Sequence, residues 1–491
     1  MLKPLKTFSL VKRRYEMRDK LRKNLATLRQ QDPESNTHST PPPDEKVRLV
    51  CLWAMEYYSP THTGDLITGL RKLGWDDFFD PTLNLIQMRE HHSGGSMTSL
   101  GHLVRKESRR FPLTMTRIAP LPKSVDYAIA HLFSLTPELN CVVVCFVFRK
   151  DTATRFDRAL RAKHCTEVER EKAGWKFLRP DHQKEREIGR IRQELSNTAM
   201  DWFQKHLPGL CASGLLDGEM PTCEGITTRV AEPFPPSSEH TKEAFPYTSI
   251  VGIGQYARDF DVWRRRDTPT LKMGFPSGLA EDHGLRHHAI LATKEPLPSW
   301  AEHYDQPQEG EEVAHTHGLV SPWLVMWGVI PILKGYVRLI KDVRDSSALR
   351  DANRSDAAAT LKKLRRYVAY NFDMADVASD LLLEQVSHNP WARSDPFESC
   401  NNDKRSLLAF LLKQIEPRVA WVQDREKSLR DHIAQIGSLL GTEENIRTQA
   451  KMRKMTWWLL TLTVLALLLA GLSLAVNFFG FLTDVGGLSG V

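Results

Sequence analysis

The sequence has little of what a secreted, disulfide-stapled protein or a familiar enzyme needs. Seven cysteines, an odd number at irregular spacing, suit a reducing compartment and argue against a disulfide framework. The basic N-terminus lacks an apolar h-region, so no secretory signal is expected. Ser-x-x-Lys, nucleophile-elbow and Cys-x-x-Cys patterns are missing from the contexts that would give them meaning. Gly252-Ile253-Gly254 lacks the third glycine and the helix start of a phosphate loop, and reads as a strand end. Basicity is also scarce outside one place. Residues 1–30 hold ten Lys or Arg against Glu16 and Asp19, a balance of +8, so a net charge of +7 leaves −1 for the remainder. No nucleic-acid partner is indicated.

Charge is missing altogether from one long run, Met455 to Leu482. As a helix it reaches roughly 40 Å, enough to cross a hydrocarbon core of about 30 Å. A transmembrane helix is predicted here, with the lipid bilayer as its partner. Trp457 and Trp458 stand where an interfacial aromatic belt lies, and Lys451, Arg453 and Lys454 form a basic collar just before it. The tail after the span carries one Asp and no base, so the positive-inside rule places the N-terminal part in the cytosol. The expected topology is single-pass and tail-anchored.

Along the chain, residues 1–30 read as a basic amphipathic arm suited to an anionic lipid leaflet or, equally, as a solvated first helix. Residues 31–45 are polar and Pro-rich, a linker. Residues 46–315 read as an α+β or α/β cytosolic domain. Its strands are expected at Val47–Tyr58, Leu113–Ile118, Val125–Phe133 and Asn140–Phe148, the last apolar on both faces and so central. Asp151–Leu207 reads as helical. Residues 316–388 form a helical region that Pro322, Gly328 and Pro331 interrupt; 389–403 read as a turn, and 404–454 as a stalk helix. In the stalk, Leu408, Ile415, Val422, Leu429 and Ile436 recur every seven residues, with Pro417 and Gly441 expected to break the helix. This coiled seam suits either an antiparallel hairpin with the preceding helix or contacts between subunits.

Three histidine groups invite a metal reading: His91-His92, His287-His288 and His315-Thr316-His317. Neighbouring side chains on a strand point to opposite faces, so the doublets are poor chelators. His315 and His317, two apart and following Glu309, Glu311 and Glu312, make the best of the three candidates.

A cytosolic α/β domain, long helices and a last helix running through a basic collar into the bilayer resembles the CorA family of divalent-cation channels. In that family the span ends in a Gly-Met-Asn signature and a second span follows. Ala475-Val476-Asn477-Phe478 occupies the corresponding place, keeps only the Asn, and no second span is expected after it. The resemblance implies a homopentamer with Asn477 lining the pore entrance, an amide oxygen facing partly hydrated Mg²⁺ as the transported ion. A lone amide in a span can instead hold helices together. Two functions follow: an oligomeric, CorA-like protein that conducts or regulates divalent cations, or a non-conducting membrane-anchored sensor or scaffold. A membrane-tethered enzyme is the third.

Overall fold

The computed structural model describes residues 4–75, 95–106, 116–171, 174–235, 246–254, 260–276, 287–295, 312–350, 396–400 and 405–486. Their contacts divide the chain into Met1–Leu339 with Tyr370–Asp424, and Ile340–Ala369 with Arg425–Val491.

The first unit is built on a mixed, ten-stranded sheet. In chain order its strands are β1 (Arg48–Tyr58), β2 (Ser96–Val104), β3 (Thr116–Ile118), β4 (Val125–Ser134), β5 (Asn140–Phe148), β8 (Thr222–Thr228), β9 (Phe260–Arg265), β10 (Lys272–Pro276), β11 (His288–Lys294) and β12 (Phe397–Ser399). A separate hairpin pairs β6 (Glu167–Glu171) with β7 (Gly174–Leu178). The sheet order is β12-β9-β10-β11-β8-β1-β5-β4-β2-β3. β1 and β5 are buried along their whole length in the middle of that order, as the two-faced apolarity of Asn140–Phe148 predicts.

Helices in chain order are α1 (Pro4–Gln30), α2 (Asp32–His38), α3 (Thr63–Lys72), α4 (Lys150–Ala153), α5 (Arg155–Arg161), α6 (Pro180–His206), α7 (Pro246–Val251), α8 (Glu312–His315), α9 (His317–Arg350) and α10 (Leu407–Gly486). Two of them cover the two faces of the sheet. Leu52 pairs with Phe146 in the β1–β5 register, and Phe146 meets Trp202 of α6 edge-on at 5.4 Å. Trp53 and Tyr57 point the other way: Trp53 Nε1 donates to His317 Nδ1 at 2.9 Å and Tyr57 OH to the Val325 carbonyl at 2.6 Å, both on α9. Close approach there depends on Gly328, where a Cβ would collide with the Tyr57 hydroxyl.

The apolar stretch His317–Asp342 is long and apolar enough to cross a membrane, yet 78% of its most apolar window is buried inside the protein. Trp323, Leu324, Val325 and Leu333 are core residues. Pro322 and Pro331 lie inside a continuous helix rather than interrupting it.

Three other expectations are corrected. The segment 31–45 is a packed tether, not a free linker, because its polar side chains bond distant backbone. Buried Asp32 accepts from the Thr166 N–H at 2.7 Å, Asn36 bonds His164 both ways, and Glu45, fully buried, accepts from the N–H groups of Arg229, Val230 and Ala231 and from Tyr247 OH. Burial alone would raise the Glu45 pKa; these donors outweigh it and hold the carboxyl below its ordinary range. The charged stretch 167–178 holds a hairpin, not helix: Glu169 stands opposite Lys176, and Gly174, at φ 149°, begins the second strand. α1 forms as one helix from Pro4 to Gln30. Phe397–Ser399, within the expected turn, adds an edge strand to β9.

α10 runs unbroken through both Pro417 and Gly441. Pro417 leaves the Lys413 carbonyl without its helical N–H, and the Arg418 side chain adds a donor at the next carbonyl, that of Gln414. Leu407, Leu411, Ile415, Val419 and Val422 are buried, and Phe410 packs on Trp263 of β9 at 5.1 Å. In the second unit the large apolar side chains of α10 between Met455 and Leu465 are exposed.

Candidate functional site

A cavity of about 570 Å³ lies along the N-terminal half of α6, between the hairpin β6–β7 and the first residues of β8 and β11. That size is usual for a small-molecule site. Parallel pairing sets Thr222 of β8 beside His288 of β11, and α6, amphipathic and packed by Ile188, Ile191 and Leu195, brings Arg192 over them.

The floor is a buried ion cluster. Glu224, 1% exposed, takes the Arg192 Nε at 2.9 and 3.0 Å on its two oxygens, and His288 Nε2 lies 3.1 Å from Oε1. His288 Nδ1 meets Thr222 Oγ1 at 2.8 Å, and the guanidinium also donates to the Val251 carbonyl while sitting over the Phe156 ring. Burial would raise the Glu224 pKa, but Arg192 and His288 override it and hold the carboxyl at about 2. The rim mixes signs. Arg186 pairs with Glu169, and His287 Nε2 lies 3.6 Å from Glu219. Apolar residues could fill a floor of this kind at similar stability, so a buried ion cluster at the base of a cavity makes this the candidate functional site.

Other polar clusters are structural. Glu56 is fully buried on β1 and accepts from the N–H groups of Tyr57, Cys211 and Ala212 at 3.0, 2.7 and 2.9 Å. Burial pushes its carboxyl up to about 7 against the pull of those donors. Nearby, His62 Nε2 lies 3.2 Å from Ser213 Oγ, and its Nδ1 lies 2.9 Å from Ser59 Oγ. Among the described residues this nucleophile–base contact has no buried acid behind it, Asp65 being exposed. The Cys211 and Ala212 N–H groups are taken by Glu56 and the Ser213 N–H by the Gly209 carbonyl, so none of these three serves as an oxyanion donor.

Of the residues the sequence singles out for metal, His317 belongs to the core. It is 2% exposed, its Nδ1 accepts from Trp53, and its ring stacks on His131 at 4.3 Å. Burial and then the neighbouring His131 hold its pKa well below the ordinary value. His315 ends α8 and Asn477 lies on α10; their side chains fall outside the described residues, as do His91 and His92. No group of three or more metal-ligating side chains forms among the described residues. The structure thus places His317 in the core and turns the His287-His288 doublet into two walls of one cavity. Arg192 and Glu224 escape sequence reasoning; the one available signal is a carboxylate inside the strand TCEGITT.

Of the seam, Ile415, Val422 and Leu429 are buried within the chain and Leu408 is half-buried; the Ile436 side chain is outside the described residues. Of the anchor, Trp457 and Trp458 are 74% and 71% exposed, and Lys451, Arg453 and Lys454 are exposed one to two turns earlier. No protein-family model matches the chain, and no curated protein does.

Proposed function

We propose that this chain is a single-span, tail-anchored and oligomeric membrane protein of CorA-like build, whose cytosolic sheet domain governs divalent-cation passage along a bundle of C-terminal helices. The observation that carries this reading is on α10. Straight after exposed Lys451, Arg453 and Lys454, the side chains of Trp457, Trp458, Leu459, Leu460, Leu462 and Leu465 are each more than half exposed. Leaving a Leu-sized side chain in water rather than burying it forfeits roughly 1.5–3 kcal/mol, so a run of them calls for an apolar surrounding. The unbroken course of α10 also supports the resemblance, in which one helix carries the stalk into the bilayer. Because the seam from Ile415 to Leu429 is already buried, self-association falls to the span, with Asn477 toward the axis.

A second reading, a non-conducting sensor or scaffold, is favoured by the loss of two of the three signature residues at Ala475-Val476-Asn477. Reconstitution separates the two. The oligomer in liposomes holding a Mg²⁺-sensitive dye should admit Mg²⁺, with flux altered by Asn477→Leu. A stable oligomer without flux selects the scaffold, and a monomer at every detergent concentration removes the channel.

A further inference from the structure

We propose that α1 docks on an anionic phospholipid leaflet through one stripe of arginines, Arg18 and Arg22 with Arg14 in register, and that it does so by charge and not by insertion. Preferring a leaflet to another polyanion rests on the proposed span, which keeps this chain at a bilayer.

Residues 1–30 hold ten Lys or Arg against Glu16 and Asp19, a balance of +8, and the rest of the chain sums to −1. Where the two acids stand decides what this charge can do. Glu16 and Lys20 are one helical turn apart, as are Asp19 and Lys23, and the second pair closes an exposed ion pair of 2.9 Å. On that side two acids offset two bases. Arg18 and Arg22, also one turn apart, lie on another: at about 100° per residue, Lys20 is about 200° round the helix from Arg18. Both arginines are exposed, and neither has an ion pair or hydrogen bond among the described residues. The sequence carries the same four-residue step back to Arg14. Like charges so placed weaken a helix in water, and a phosphate between them relieves the repulsion.

The apolar side chains of this stretch are committed elsewhere. Leu21, Leu25 and Leu28 recur four and three residues apart, which sets them on one side, and all three are half-buried. Between residues 16 and 30, Met17 is the one large apolar side chain left outward. One methionine does not sink a helix into lipid.

The helix is tied to the fold at its C-terminal end. Arg29 Nε donates to the Thr166 carbonyl at 3.2 Å, and Asp32 accepts from the N–H and hydroxyl of the same threonine at 2.7 and 2.5 Å. Its 27 residues extend about 40 Å from end to end. A free phosphate meets one or two arginines of such a stripe, whereas a charged surface meets all of them at once.

Docking is read by flotation. The full chain is held in nanodiscs of neutral phosphatidylcholine and mixed with separate vesicles of phosphatidylcholine, with or without about 30% phosphatidylserine. A chain that fails to enter nanodiscs refutes the span, not the stripe, and the same flotation is then run on the chain alone. Only vesicles with phosphatidylserine should carry the protein up, and about 1 M salt should release it. Arg18→Gln and Arg22→Gln should each weaken the partition about fivefold at an unchanged melting temperature, and Lys20→Gln by less than about twofold. Flotation that ignores phosphatidylserine overturns the proposal, as do equal losses on Arg18→Gln and Lys20→Gln. So does an RNA duplex of about 20 base pairs that strips the protein from the vesicles at equal phosphate concentration, since α1 is then a nucleic-acid arm.

Discussion

The sheet-bearing unit and the last third of α10 treat water in opposite ways. In the first, Trp53, Tyr57 and Phe146 are hidden and even charges such as Glu45, Glu56 and Glu224 are drawn inside, each held by several donors. In the second, Trp457, Trp458 and several leucines stand exposed at the start of a stretch of α10 that carries no charge from Met455 to Leu482. A chain that can bury a carboxylate three times over has no difficulty burying leucine. This contrast is the ground for proposing a bilayer around that segment.

The strongest way to break this comparison is to charge the exposed file. Leu465→Arg with Leu468→Arg should cost roughly 5–7 kcal/mol on the insertion scale and move the chain to the soluble fraction after alkaline wash. Were α10 bathed in water there, the same change would be nearly neutral and the protein would stay where the wild type is found.

Next in size is the charge buried on the other side of the comparison. Glu224→Ala leaves the Arg192 guanidinium without its partner and should destabilise the sheet domain by about 3–5 kcal/mol, read as a lowered denaturation midpoint. An unchanged midpoint would mean that water reaches the floor freely.

Acid offers a third test, and two buried groups answer it with opposite signs. Burial, and then the neighbouring His102, lower the His131 pKa from 6.5 to about 4. The unfolded chain therefore binds the extra proton between those values, and stability is lost as pH falls from about 6.5 to 4, by up to roughly 3 kcal/mol. Glu56 runs the other way: with its carboxyl raised to about 7, the folded chain holds the extra proton, and its contribution is lost as pH rises from about 4.5 through 7. His317, likewise held well below its ordinary value, adds an acid loss of the same sign as that of His131, so the wild type should lose stability on net as pH falls through that window. His131→Phe should remove its share of that loss and flatten the profile toward about pH 4.5. A variant with the wild-type profile would mean that His131 titrates as it does in water.

Sequence reading succeeds where one physical signal acts alone. Asn140–Phe148 is apolar on both faces and is found between β1 and β4, because only a strand with two covered faces has that composition. It fails where side chains bond at a distance. Nothing in QQDPESNTHSTPPPDE announces that Asp32 will cap Thr166 or that Glu45 will collect three backbone N–H groups from residues 229–231. The hairpin Glu167–Leu178 is hidden because its strands are five residues each and mix charge with apolar side chains, Glu169 opposite Lys176 beside Val168 opposite Phe177, so no hydrophobic period announces it. Pro417 misleads for the reverse reason: a strong local rule yields to a buried stripe from Leu407 to Val422 that holds the helix together. The cavity floor needs residues 192, 222, 224 and 288 at once, a juxtaposition that only the parallel β8–β11 pairing and α6 create.

The smallest expected effect sharpens the comparison on a single helix. α6 carries two Glu–Arg pairs of similar geometry and opposite surroundings. Arg192 binds Glu224 inside, while Arg155 binds Glu194 in a two-bond fork of 2.9 and 2.7 Å at the surface, with Glu194 about half exposed at 49%. By hydrogen bonding alone the outer pair is the better one. Water and salt screen it, and the two side chains lose rotamer freedom in forming it. Glu194→Ala should therefore cost only about 0.2–1 kcal/mol and nothing measurable in about 1 M salt, where charges are screened beyond roughly 3 Å. The loss on Glu224→Ala should be the same at both salt concentrations, because no counter-ion reaches a carboxylate 1% exposed. If salt erased both losses alike, the cavity floor would be as wet as the surface.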